Sequence, residues 1–501
     1  MKTIIKIILV FLPFIGTLAS TQDTIYVMRS GTVVYKKAIT DIDSISFENT
    51  IFNRRSIVNK IATDKSFSIF YQGLVATGLV DSLKADRDKN YDYNYYRYLI
   101  TDPNNSYFYN EVPRMRRYGY TLLIESDAVF NMQGISSLSE LKSYAAQVYN
   151  SVYPEDASIT DVTNRKNSLN RFIAYHIINK KLSLNMFIDA YDTDHMIKSI
   201  DMYEYLEPMC PNSLIEIKKE RITGRTNLIN QLNENGNSIQ IIPGNADKDI
   251  YNGFFYGIDK ILSFDSATVN YLSNKRLRFD ISSLFPELSN NGIRAAVGII
   301  NKNLQFIIPT GYLDRLKTND QNKVSYLTPD NGFMDFEGDE ISISPRNGGN
   351  YEFTITTPPI PSGIYEVRFG YQANMYRGVA EFYIDDMPAG LPVNLNLNGL
   401  DTEIGYVLLK SYFNDPLGYE NDKMMRNHGY MKAPACFTAP TFYTGESARF
   451  SNSALRKILG TFTFNTAGSH KLLVKGLSSG VFMYDYIEFV PVSALENEDI
   501  N

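Results

Sequence analysis

The sequence predicts a multidomain chain, α+β in its first half and an all-β sandwich in its second. Three observations carry this expectation. At 501 residues the chain is long enough for two or three separate cores. Between Ser56 and Lys84 apolar residues recur at helical spacing, and strand-like runs come later. Beyond Ser325 short alternating runs, broken by turn residues about every ten positions, replace helical patterns.

Composition narrows the class before any motif is read. The chain is 44% hydrophobic and 21% charged, as globular domains are and disordered ones are not. Net charge is -6 with both signs mixed along the chain. It offers no basic face for nucleic-acid phosphates, so no nucleic-acid partner is expected. There are 36 Tyr and 29 Phe but no Trp, an aromatic excess that suits β-sheets.

The N-terminal stretch MKTIIKIILVFLPFIGTLAS places Lys2 and Lys6 before an apolar run to Ile15, with Thr17, Ala19 and Ser20 after it. That order reads as a secretory signal over 1–20, cleaved after Ala19 or Ser20. The run is shorter than the roughly 20 residues of a membrane-spanning helix. No transmembrane segment is expected in the mature chain, and without a nearby cysteine no lipoprotein anchor either. The expected location is the periplasm, the cell surface or the medium. Cys210 and Cys436 show no metal or redox spacing; a disulfide between them in an oxidising compartment is one reading, and two unpaired thiols is the favoured one.

The leader, 21–50, alternates apolar and polar residues about Ser30-Gly31, predicting a hairpin and a further strand from Asp43 to Phe47. The next domain, 51–265, opens on SIVNKIATDKSFSIFYQGLVATGLVDSLK. Ile57, Ile61, Phe67, Phe70, Leu74 and Leu79 give the helical period, with Gly78 closing one helix. SLSELKSYAAQVYN and NSLNRFIAYHIINKKL are helical in period, whereas SLIEIKKERI, NSIQIIPGN and GFFYGIDKIL read as strands.

YTLLIESDAVFNM, from Tyr120 to Met132, stops an apolar run at Glu125, Ser126 and Asp127. Two carboxylates so close could form an acid/base pair, but no matching acidic motif accompanies them. Ser126 or Asp127 is instead placed to cap a helix starting near Ala128. Taken in order, FSIFYQGLVATGLVDSLK, YTLLIESDAVFNM, LNRFIAYHIINKKL and DIYNGFFYGIDKIL resemble the fasciclin-like domain over about 210 residues, Ser56 to Phe264. That family runs "aGL.d.L", "TvfaPtdeAF", "L...l.yHvv", "nG.ih.ID.vL". Glu125 stands where the family has proline, and the tyrosine-rich insertion NYDYNYYRYLITDPNNSYFYNEVPRMRRYG separates the first two motifs. The resemblance implies adhesion or extracellular recognition, with Tyr175-His176 as the adhesion pair. The competing reading makes His176 an inward-facing brace. Asp192, Asp194 and His195 are adjacent on one loop and poorly placed to converge on a metal.

Residues 266–324 read as a bridging region, 325–495 as the sandwich and 496–501 as a tail. SGIYEVRFGYQ, VAEFYIDDMPAGLPVNL and TAGSHKLLVKGLSSGVFMYDYIEFVPV resemble strands of a jelly-roll carbohydrate-binding module. Such modules stack aromatic rings on sugars and add hydrogen bonds from amides, carboxylates or guanidinium. Tyr371, Asn374, Tyr376 and Arg377 lie in YQANMYRG, and Tyr484 and Asp485 close the last hairpin. These six are the candidate ligand residues, each aromatic having core packing as its alternative. Asp335, Glu337 and Asp339 offer oxygens for a structural calcium, against a plain solvated turn. No other cofactor is expected. The polar stretch Asn414 to Phe437 reads as an ordered binding loop or interface.

No phosphate-binding glycine loop, zinc spacing or nucleophile elbow occurs, Gly348-Gly349 lying between strands. The sequence therefore predicts an exported, non-catalytic adhesion or recognition protein that binds an extracellular glycan or a surface protein. The alternative is a structural component of a cell-surface complex without sugar affinity.

Overall fold

A computed structural model describes residues 24–29, 32–38, 56–95, 110–184, 204–218, 228–230, 238–242, 250–294, 304–328, 336–408, 418–434 and 448–497. Two units separate, 1–54 and 55–501. In the first, Thr24–Arg29 pairs antiparallel with Thr32–Ala38, the expected hairpin. The signal segment, the Asp43 to Phe47 strand, residues 192–195 and Cys436 lie outside the described residues.

The second unit begins with helices whose ends are set locally. Ser56 caps Ile57–Ala62, and Gly78, at φ 71°, turns the chain between Ser68–Ala76 and Leu79–Lys84. Only glycine adopts that left-handed backbone without steric cost. Ser137 caps Leu138–Val152, while the Glu140 carboxylate reaches back to the Ser136 amide at 2.7 Å. Their apolar faces close over a sheet in which Tyr120–Glu125 runs parallel to Gly253–Ile258 and antiparallel to Ile177–Ile178. At Gly253 a Cβ would stand 2.0 Å from the Tyr120 carbonyl oxygen, so no side chain fits there. The helix predicted through NSLNRFIAYHIINKKL ends at Tyr175. Ile177 and Ile178, β-branched and fully buried, pair with the strand instead.

The later part consists of antiparallel sheets. One orders Leu277–Asp280, Tyr486–Pro491, Gly363–Gln372, Ala454–Phe464 and Tyr430–Lys432. A second orders Leu316–Thr318, Glu352–Ile360, Gly468–Gly476, Val379–Ile384 and Met387–Pro388. A third orders Leu304–Ile308, Asn322–Thr328, Glu340–Pro345 and Phe482–Tyr484. Phe369 joins them: its ring lies 5.2 Å from that of Phe382, 5.5 Å from Phe482 and 5.4 Å from Tyr484. Residues read as a bridge thus supply strands to all three sheets. Their partners lie up to some 200 positions away, beyond the reach of a local pattern.

One face of the first sheet is both charged and closed to solvent. Arg278, Glu488 and Arg368 stand directly opposite one another on three adjacent strands. Glu366, next but one to Arg368, binds Arg368 at 2.6 Å and Arg426 at 2.6 Å. Arg456 donates to the Lys432 carbonyl at 2.8 Å.

Candidate functional site

Glu125, Ser126 and Asp127 divide their labour. Ser126 caps Asp127–Met132, accepting from the Val129 amide at 3.3 Å. Asp127 caps a different helix: it accepts from the Ile69 amide at 2.9 Å and from the Ser68 hydroxyl, at the start of Ser68–Ala76. Glu125 is fully buried, and its Oε1 lies 2.9 Å from His176 Nε2 and accepts from the Leu262 amide at 2.7 Å. His176 Nδ1 lies 2.7 Å from the Phe172 carbonyl oxygen, which can only accept, so Nδ1 carries a proton. The two residues are 0% exposed and form a brace between helix, strand and loop.

The adhesion pair is therefore corrected. Tyr175 is also 0% exposed. Its hydroxyl donates to the Leu214 carbonyl at 2.8 Å and accepts from Asn230 at 2.9 Å, and burial pushes its phenol well up. Neither side chain can touch a partner.

The candidate sugar residues separate in the same way. Tyr371 continues the inward alternation of Tyr365, Val367 and Phe369, and stacks on Phe369 with centroids 5.2 Å apart. Tyr484 packs in the same aromatic cluster, with its ring 5.7 Å from that of Phe482. Burial pushes both phenols well up. Asp485 is buried and accepts from the Phe336 amide at 2.7 Å, and buried Arg377 donates through Nε to the Gln372 carbonyl at 3.1 Å. These four hold the fold. Asn374 and Tyr376 remain at the surface, Tyr376 with 70% of its area exposed beside Met375 at 73%.

The loop bearing Tyr376 is braced from both sides. The Asn374 amide donates to the Leu395 carbonyl at 3.3 Å, and the Tyr376 carbonyl accepts from the Val481 amide at 2.9 Å. The Gly378 amide donates to Asn396 Oδ1 at 2.8 Å, and the Val379 amide to the Ser478 hydroxyl at 2.9 Å. Half-exposed Leu477 belongs to the same end of the sandwich. Asn396, Leu477 and Ser478 were not among the sequence candidates, because hydrogen bonds between distant loops bring them to the rim. The arrangement combines one open aromatic face with fixed amide and hydroxyl groups, which suits a flat polar ligand.

Of the three calcium candidates, Asp339 is engaged by protein groups. Asp339 Oδ2 accepts from Arg294 Nε at 2.8 Å and from the Tyr326 hydroxyl at 2.8 Å, while Oδ1 lies 3.3 Å from Arg294 Nη2. Both oxygens face a guanidinium already present. Asp335 and the side chain of Glu337 lie outside the described residues.

Asp280 shares that guanidinium, its Oδ2 lying 2.8 Å from Arg294 Nη2. Burial, with Asp339 adding its charge, pushes the Asp280 carboxyl up to about 8 against the pull of Arg294. In an unfolded chain an Asp titrates at about 3.9. The folded chain therefore holds a proton that the unfolded chain has released. This contribution to stability is full below pH of about 4 and is lost as pH rises through about 8. Urea midpoints measured across that range should fall with pH, and Asp280→Asn should flatten the slope. An unchanged slope in the variant would refute the assignment.

No family model matches the chain, and no curated protein sequence matches it. Among solved structures, a Paenibacillus xanthan lyase is similar at 14% identity, over 35% of this chain and 12% of that one, with a TM-score of 0.19. The match spans a small fraction of that enzyme, and a score this low shows neither a shared fold nor a shared activity.

Proposed function

We propose that this protein is an exported, non-catalytic recognition protein that binds an extracellular glycan at the loop end of its C-terminal sandwich. The observation that carries the reading is Tyr376, an aromatic ring 70% exposed on a loop fixed by its neighbours. Exposed aromatics on rigid loops are preorganised for stacking, since little side-chain or loop entropy is lost on binding. The resemblance of three strands to a jelly-roll carbohydrate-binding module, and of four N-terminal motifs to the fasciclin-like domain, supports the same reading. So does the signal-like segment at the start of the chain.

A glycan-array screen of the mature chain, followed by titration calorimetry, tests it. Tyr376→Ala should weaken binding about tenfold or more, since a stacked ring contributes about 0.5–1.5 kcal/mol beyond its buried area. Unaltered binding in the variant would remove the site from this loop. A second reading, docking to a surface protein without sugar affinity, is favoured by the exposed side chains of Met375 at 73% and Leu391 at 84%. Binding to no glycan at all would leave that reading standing.

A further inference from the structure

Two side-chain amides are anchored to the loop that bears Tyr376, and their orientation is fixed. Asn374 Oδ1 accepts from the Tyr376 amide at 3.2 Å, and Asn396 Oδ1 accepts from the Gly378 amide at 2.8 Å. A main-chain N–H can only donate, so each oxygen faces the loop and each NH2 group faces away from it. Neither Nδ2 bonds to another described residue, and neither is closed off from solvent. Asn394 and Asn398 repeat the pattern beside Asn396, each giving its oxygen to a main-chain amide, at 3.2 Å and 3.1 Å.

What this end of the sandwich lacks is a carboxylate. Main-chain hydrogen bonds join four segments here, 373–378, 394–399, 451–453 and 477–481. Arg377 is their only charged residue. Its side chain is 3% exposed and forms no ion pair among the described residues. A ligand hydroxyl brings a proton that needs an acceptor, whereas the free side-chain amides offer donors. A carboxylate only accepts, through two oxygens and about four lone pairs, and its bonds to donors are stronger than those of a neutral oxygen. A buried cation is screened less than one in water, so the field of Arg377 favours the same ligand charge.

We infer that the Tyr376 end takes an acidic glycan: the ring stacks on a uronate, and the outward amides of Asn374 and Asn396 donate to carboxylate oxygens of that sugar or its neighbour in the chain. The inference rests on the reading of this loop as a glycan site and adds the class of sugar.

Titration calorimetry of the mature chain at low salt tests it with two probe series, one built on oligogalacturonate and one on oligoglucuronate. Each series holds the acid, its methyl ester and the alcohol made by reducing its carboxyl groups. At least one acid should bind about tenfold tighter than its own alcohol, with the ester weaker than the acid. That binding should weaken as salt is added, and by about tenfold in Tyr376→Ala. Asn396→Asp keeps an oxygen for the Gly378 amide and puts a negative charge where the NH2 group stood, so acid binding should fall about tenfold or more. Asn374→Asp should act alike, and a wild-type urea midpoint identifies whichever variant is folded. An alcohol that binds as tightly as its acid, and is weakened in Tyr376→Ala, would overturn the acidic class and leave the loop a glycan site. Acid binding untouched by Tyr376→Ala would overturn both, since the site would lie elsewhere. Acid binding that persists in whichever of Asn374→Asp and Asn396→Asp is folded would overturn the inference alone. Binding of no probe would also overturn it, and the array screen then decides the wider reading.

Discussion

Replacing Glu488 by alanine should destabilise the later sheets more than truncating any one of the arginines around it. Its carboxylate is fully buried among three guanidinium groups. Oε1 accepts from Arg278 Nε at 2.7 Å, and Oε2 lies 3.4 Å from Arg456 Nη1 and 3.6 Å from Arg368 Nη1. Burial opposes its ionisation, but Arg278, Arg456 and Arg368 outweigh burial and hold the carboxyl well below the usual range. Removing one partner of a buried ion pair costs about 3–5 kcal/mol, because the remaining charge is left desolvated. Here one carboxylate serves three cations, so the upper end is expected, a large part of the roughly 5–15 kcal/mol that stabilises a domain.

The comparison variant is as informative as the deletion. Arg278→Met combined with Glu488→Leu removes a charge of each sign, and should cost less than Glu488→Ala alone. Urea unfolding followed by tyrosine fluorescence suits a chain with 36 Tyr and no Trp. A Glu488→Ala midpoint equal to wild type would show that the network contributes nothing. The sign with pH is also set. A depressed carboxyl contributes stability above its unfolded value of about 4.3, lost only as pH falls through the lower folded value. Acid unfolding should accordingly occur at a higher pH in the variant.

His176→Ala should be nearly as damaging in the N-terminal sheet, at about 3–5 kcal/mol. The change leaves Glu125, fully buried, without its ring partner and opens a cavity beside Phe70 and Phe172, whose rings lie 5.2 Å and 4.7 Å from the imidazole. The measurement that separates bracing from adhesion is a pair of readouts on one variant. Lower thermal stability is expected, together with unchanged ligand affinity for the fraction that remains folded. Full stability with lost affinity would restore an adhesive role to this position.

How much of the fold and the site was legible in the sequence depended on distance along the chain. The start of the helix after Glu125 was readable because a cap acts over two or three residues, and Ser126 binds the amide of Val129 within that span. The inward faces of strands were readable as alternation, so Tyr365, Val367 and Phe369 stand in the core as their spacing required. Tyr371 obeys the same rule, which is why it packs inside and leaves Tyr376 as the open ring. The hairpin of the leader needed only its turn.

The tertiary structure alone decided what long-range pairing brings together. Arg368 and Glu488 fall on the alternate, polar positions of their strands, where a sequence reading expects solvent. Their side chains become a buried network only because Leu277–Asp280 and Ala454–Phe464 flank those strands and supply Arg278 and Arg456. Glu125 could not be matched to His176, 51 positions on, nor Asp127 to a helix start 58 positions back. Local order follows from short-range sterics and capping, which the sequence determines within a few residues. Which charge is buried, and beside which partner, follows from strand pairing between distant segments, and no short window of sequence contains it.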